Sequence, residues 1–335
     1  MRRLVRKLLE RTRRSLGMEQ LRSELAQMRE KLDYLLLCKG ASQHQANGTH
    51  GATELPLLER VIHAPEGTAS KASQLILANQ YRALALQGGP LPGFQDVEFR
   101  AFSQNGEDGM LLYIFSLIGM GQRRCVEICA GDGIQCNTAN LIINHGWHGL
   151  MFDGNDQLVE RGRVFYSGLG DTFCFPPKLL NAWITRENIN DLIREHGFAG
   201  PIDLLSLDID GNDYWIWEAI DVVRPRVVIA ETQCIWGSDR SVTVPYSKEF
   251  RTQFVDRFGI YCGASLPAFV KLGRKKGYRL VGVQNLGFNA VFLADEVGEE
   301  LLPEVDAESC LDRPFVHWAT RELLPKVQHY EWVEI

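Results

Sequence analysis

Four carboxylates lie at the ends of two successive apolar runs. Asp208, Asp210 and Asp213 fall in LSLDIDGNDYWIW, and Glu231 closes RVVIAETQ. Three acids within six residues repel one another unless a cation or a proton lies among them, so their burial would point to a bound ion. A hydroxyl is a poor nucleophile at neutral pH, and either a positioned carboxylate or a divalent ion eases its deprotonation during group transfer. A calcium loop of the helix-loop-helix type is excluded. Its turn glycine would fall on Asp213, its bidentate acid on Ala219, and a strand rather than a helix precedes it.

A second cluster is VEICAGDG (126–133), an apolar strand carrying Glu127 that runs into a glycine turn ahead of a helix starting near Asn137. In an open α/β sheet, ligands lie beyond the carboxyl ends of strands, where such a turn brings them close to backbone. The dinucleotide fingerprint G-x-G-x-x-G fails because Cys136 stands at the third glycine, and no G-x-x-x-x-G-K-[ST] occurs anywhere. Glu107 and Asp108 of SQNGEDG (103–109) precede LLYIFSLIG and suit a helix N-terminus. No two histidines have the i, i+4 spacing of a metal pair on a helix, and no histidine is assigned a catalytic role. The loop CIWGSDRSVTVPYS (234–247) mixes Trp236, Asp239, Arg240 and Tyr246 and is read as the specificity element.

These residues require a sheet to position them. Strand signals at 123–130, 149–154, 178–185, 202–210 and 226–233 alternate with helical segments, the pattern of a largely parallel sheet. The last two, at 278–284 and 288–295, are separated by Asn285, Leu286 and Gly287, a connection that only an antiparallel hairpin can use. The expectation is an α/β, Rossmann-like, seven-stranded, mostly parallel sheet with an antiparallel C-terminal hairpin over 99–335.

Ahead of it, residues 1–37 read as a basic amphipathic helix and short coiled coil, 38–54 as a flexible linker and 55–98 as a helical extension. Residues 1–16 hold seven basic residues and one acid, with Leu4, Val5, Leu8 and Leu9 on one stripe. Such a helix attaches to an anionic membrane surface or a membrane-bound partner, or is a solvated tail. Leu21, Leu25, Met28, Leu32 and Leu35 keep heptad spacing, so 18–37 suggest a homo-oligomer, or a helix packed on the protein's own body.

Of the 335 residues, 45% are hydrophobic and 23% charged, which excludes overall disorder. The net charge of −6 disfavours nucleic acid as a partner, yet residues 1–37 carry ten basic and five acidic side chains. The eight cysteines form no C-x-x-C pair and read as reduced thiols. No apolar run approaches the roughly 18 residues of a membrane span, and the start lacks a secretory h-region. The expected location is cytoplasmic, with peripheral contact at the inner membrane face if the basic helix binds lipid.

VEICAGDG resembles the first motif of class I S-adenosylmethionine-dependent methyltransferases, with Cys129 at the first glycine position. FSQNGEDGMLLYIF, the segment 126–155, WITRENIN and LLSLDIDGNDYWIWEAI further resemble the FkbM-like branch of that superfamily. The resemblance implies S-adenosylmethionine as cofactor. Glu127, Gly131, Asp132 and Gly133 would border its methionine end, Asp153 its ribose and Trp183 or Ile184 its adenine. Ala130, Asn137, Gly154, Gln104 and Asp108 join the same set.

It also implies an O-methyltransferase of the metal-dependent kind, with Asp208 and Glu231 as ligands of Mg²⁺ and Asp208, Asp210 and Glu231 as the catalytic group. A competing reading has Asp208 merely orient the turn, with Asp210 as base and no metal. The acceptor would be a hydroxyl of a carbohydrate, as polysaccharide or glycolipid, or of a polar small molecule. Enzymes that methylate the amines of bases usually carry an Asn/Asp-Pro-Pro-aromatic turn where this chain has DIDG. The alternative function is a non-catalytic, cofactor-binding scaffold assembling through the N-terminal helices.

Overall fold

The computed structural model describes residues 69–255 and 258–335. The basic helix, the heptads, the linker and the start of the helical extension lie outside them. The described residues belong to one compact unit, Ala64–Ile335.

Its centre is a seven-stranded sheet of β1 (Arg124–Ile128), β2 (His148–Asp153), β3 (Lys178–Asn181), β4 (Gly200–Leu207), β5 (Val223–Glu231), β9 (Tyr278–Val283) and β10 (Asn289–Ala294), in the order β3-β2-β1-β4-β5-β10-β9. The first five pair in parallel, and β10 runs antiparallel to both β5 and β9. The expected Rossmann-like sheet is therefore present, and its one antiparallel strand is inserted between two others rather than added at the edge. Short strands β6 (Val242–Thr243), β7 (Gln253–Val255), β8 (Phe258–Tyr261) and β11 (Val333–Glu334) form two small ribbons outside the sheet.

Side chains alternate between the two faces of each strand, and both faces are covered, which is why the strands read as nearly unbroken apolar runs. Val126, Ile128, Leu205 and Val228 join Ile193 of α6 (Ile189–Glu195), Trp217 of α7 (Asp213–Ala219) and Phe269 of α8 (Leu266–Lys276) in one core cluster. Cys125, Leu204 and Val227 join the other, with Tyr81 of α1 (Lys71–Leu86), Ile114 of α3 (Glu107–Ile118), Leu141 of α4 (Ala139–His145) and Tyr166 of α5 (Asp156–Gly168). Between α1 and α3 lies the single turn α2 (Phe94–Val97), and the chain closes with α9 (Ala307–Leu311), α10 (Pro314–Glu322) and α11 (Leu324–Val327).

The third strand is shorter than the sequence suggests. Its last rung sets Asp153 against Asn181, and the Ala182 amide donates to the Asp153 carbonyl at 2.9 Å before the chain turns away. Trp183 and Ile184 thus lie beyond the strand. None of the helices among the described residues is long and apolar enough to cross a membrane.

Candidate active site

The chain order reverses between β1 and β4, and at the carboxyl ends of β1, β2, β4 and β5 lies a cavity of about 800 Å³. This is where an open α/β sheet opens a crevice for ligand. Glu127 of β1 stands in register with Ser206 of β4 across the reversal. Its Oε1 accepts from the Asn137 amide at 2.9 Å and the Ser206 hydroxyl at 3.0 Å. Its Oε2 accepts from the Thr138 amide at 3.0 Å and from the Thr138 hydroxyl. Glu127 lines the cavity, but these four donors make it the clamp that folds the glycine turn back onto the strand.

That turn carries unusual backbone. Cys129 has φ +63° and Gly131 φ +59°, both in the left-handed region. Glycine bears no Cβ penalty there, whereas Cys129 adopts the conformation against its own preference. No atom lies within 4 Å of where a Gly131 side chain would begin, so that stretch of backbone is open to a ligand. The Gly131 amide donates to Asp153 Oδ2 at 2.8 Å, and the Asn155 amide to Asp153 Oδ1 at 2.8 Å, tying the ends of β1 and β2 together. Past β3, the Trp183 ring lies against Gly154, where a Cβ would come within 2.8 Å of it. Its indole donates to the Lys248 carbonyl at 2.7 Å, and the Arg251 guanidinium lies 3.7 Å from the ring centre.

Gln104, Glu127, Ala130, Gly131, Asp132, Asn137, Asp153, Gly154 and Trp183 all line the cavity. Gly133 and Asp108 are not among its lining residues. Gly133 is packed inward: a side chain there would come within 3.2 Å of both Met151 and Tyr166, whose hydroxyl donates to the Gly133 carbonyl. Asp108 is buried, its Oδ2 accepting from the amides of Ala101, Phe102 and Ser103 at 2.6 to 2.7 Å. Burial pushes its carboxyl up to about 6 against those three donors. It shapes the turn, and its neighbour Glu107 reaches the cavity instead.

At the other end, Asp208 follows β4 and Glu231 ends β5. One carboxylate oxygen each from Asp208, Asp210 and Glu231 lies within 4.8 Å of the others. Burial, then the neighbouring Asp213 and Asp210 carboxylates, pushes Asp208 up to about 8. Burial, with the neighbouring Asp208 carboxylate next, raises Glu231 well above the carboxylate range. Like charges this close share a proton or take up a cation. Glu231 Oε2 is buried with no partner in the protein. An all-oxygen set with an orphaned carboxylate atom fits a hard divalent ion such as Mg²⁺, and Asp210 lies in the same cluster as Asp208 and Glu231.

The turn itself is oriented by Asp213, not Asp208. Asp213 Oδ1 accepts from the Ile209 amide at 2.7 Å and Oδ2 from the Gly211 amide at 3.0 Å. These bonds hold Asp210 at φ +54°.

The loop after β5 differs from its sequence reading. Trp236 is buried against Trp332, Arg240 pairs with Glu334, and Tyr246 donates to Glu187 at 2.7 Å. None of the three lines the cavity; Phe250, a few residues on, does. Asn105, Asn212, Phe288 and Asn289 line it as well. The clue to Asn289 and Phe288 was their place opening the last strand after the hairpin, at the same edge as Glu231, with which Asn289 is in register.

No family model matches the chain, and no curated protein matches it. Among solved structures it is similar to the cofactor-bound protein Rv0187 from MTB, at 14% identity and a TM-score of 0.38 over 73% of this chain and all of that one. It is also similar to magnesium protoporphyrin IX methyltransferase from Synechocystis PCC 6803 with bound SAM, at 10% identity and a TM-score of 0.34 over 68% and 97% of the two chains. The methyltransferase domain of bacterial CtHen1 gives 14% identity and a TM-score of 0.36 over 56% and 97%. The fold of this chain rests on its own strand order.

Proposed function

We propose that the protein is an S-adenosylmethionine-dependent O-methyltransferase acting on a hydroxyl of a carbohydrate or other polar acceptor. The observation that carries this reading is that one cavity holds the open glycine turn with Asp153 at one end and the acid group of Asp208, Asp210 and Glu231 at the other. The FkbM-like resemblance of the sequence supports the same reading.

In this reading Asp153, Gly131 and Trp183 hold the cofactor, with Gln104, Ala130, Asp132, Asn137 and Gly154 bordering it. S-adenosylmethionine supplies an electrophilic methyl group. The acceptor oxygen forms its bond to that carbon as the carbon–sulfur bond breaks, with the electron pair left on sulfur and S-adenosylhomocysteine as the product. The hydroxyl proton passes to a carboxylate, and Asp210, the exposed member of the group, is placed to take it. Asp208 and Glu231 would hold a divalent ion, which would lower the pKa of a hydroxyl bound beside it.

Calorimetry with S-adenosylmethionine and S-adenosylhomocysteine tests the reading. Micromolar binding is expected, weakened about 100-fold or more in Asp153→Ala, the loss of two or so charge-assisted contacts. Unchanged affinity in that variant, in protein of unchanged melting temperature, would sink the assignment. Absence of binding by folded protein would refute the methyltransferase reading, and binding without methyl transfer would favour the scaffold alternative.

The N-terminal organisation belongs to the same proposal: 1–37 as surface-binding and self-associating helices, 38–54 as linker, 55–98 as extension, 99–335 as the catalytic domain at the inner membrane face. Removing residues 1–54 should preserve methyl transfer to a soluble acceptor and abolish recovery with membranes. Equal membrane recovery of the truncated protein would refute the tether.

A further inference from the structure

Among the described residues that line the cavity there are seven carboxylates and no lysine, arginine or histidine. One of them, Asp132, is paired from outside by Arg161 at 3.4 Å. The proposed cofactor brings a single net positive charge and a divalent ion two more, so acids still outnumber cations when both are bound. An acceptor bearing phosphate or carboxylate would add to that excess and be repelled, and a cationic one would reduce it.

A second observation points the same way. The Asn212 amide nitrogen donates to the Ser247 carbonyl at 2.7 Å, and that of Asn289 to Glu107 Oε1 at 2.8 Å. These bonds fix both amides with their oxygens as the remaining group. Each oxygen is buried without a partner, in side chains 7% and 5% exposed. Both residues belong to the cavity wall. Buried acceptors left without donors are costly, and a ligand offering N–H or O–H groups recovers that cost. Phe250 and Phe288 line the cavity too, and the face of an aromatic ring attracts an ammonium group.

We infer that the acceptor is a polyol carrying a protonated amine, of the amino-sugar class, and that Asn212, Asn289 and the acid group select it against acidic sugars. The inference rests on the methyltransferase reading and names its substrate class.

Saturation-transfer NMR on the full chain with Mg²⁺ and S-adenosylhomocysteine tests it, using glucosamine, glucose and glucuronate as probes of one ring with three charges. Glucosamine should bind about fivefold or more tightly than glucuronate, a margin that shrinks as salt is raised. Asn289→Leu should weaken glucosamine while leaving S-adenosylhomocysteine affinity, read by calorimetry, intact. Glucuronate binding as well as or better than glucosamine overturns the inference. If S-adenosylhomocysteine binds and no charge preference appears, the amine is wrong and the methyltransferase reading stands. If S-adenosylhomocysteine does not bind, both fall.

Discussion

Replacing Glu127 with alanine is expected to cost the fold about 4 kcal/mol or more, a large part of the ~5–15 kcal/mol of a typical domain. The carboxylate receives four donors, the amides of Asn137 and Thr138 and the hydroxyls of Thr138 and Ser206. It is 3% exposed, so water cannot replace it without opening the site. Glu127→Gln should lose nearly as much, because its amide nitrogen would face donors where the carboxylate offered only acceptors. Urea denaturation reads the effect as a lowered midpoint. A change below ~1 kcal/mol in both variants would show that the turn is held by other means.

Methyl transfer should fall about 10³-fold in Asp208→Asn and in Glu231→Gln, while calorimetric affinity for S-adenosylhomocysteine stays within about threefold. The pH response of the cation-free protein offers an independent check. Asp208 and Glu231 are both raised in the folded state, Asp208 to about 8, whereas in the unfolded chain each ionises near 4. The folded protein therefore holds protons that the unfolded chain releases. Their contribution to stability is complete below about pH 4 and is lost as pH rises toward 8. Stability of the wild type should decline over that window by on the order of 2 kcal/mol more than that of Asp208→Asn. Mg²⁺ should reverse the decline at pH 8, because the ion replaces the proton. Parallel pH profiles for the two proteins, or indifference to Mg²⁺, would count against a cation among these acids.

The parts of this site that could be read in the sequence are those set by local order along the chain. Val126, Leu205 and Val228 lie in apolar runs because both sheet faces are covered, so the strand ends, and with them Asp153, Asp208 and Glu231, could be located by counting. Asn285, Leu286 and Gly287 similarly forced a hairpin. Illegible parts depend on contacts made through space. Glu107 and Asn289 meet across 182 positions, and Asn212 is fixed by a carbonyl 35 residues away. Glu107 and Asp108 look equivalent as helix-start acids, and only the backward fold of residues 101–103 onto Asp108 separates their roles. Gly131 and Gly133 both have positive φ, but the packing of Met151 and Tyr166 on one and open space beside the other decides which faces the cavity.

The inserted strand β10 bears on how the protein is made. During synthesis the edge of β5 stays bare until residues 289–294 leave the ribosome, although its Val227, Val228 and Ile229 are fully buried in the finished sheet. Such an edge recruits foreign strands. A nascent chain stalled or cleaved between β5 and β10 is thus the species most prone to aggregate, and a chain ending before residue 289 should require a holding chaperone. One continued through Ala294 has its edge closed.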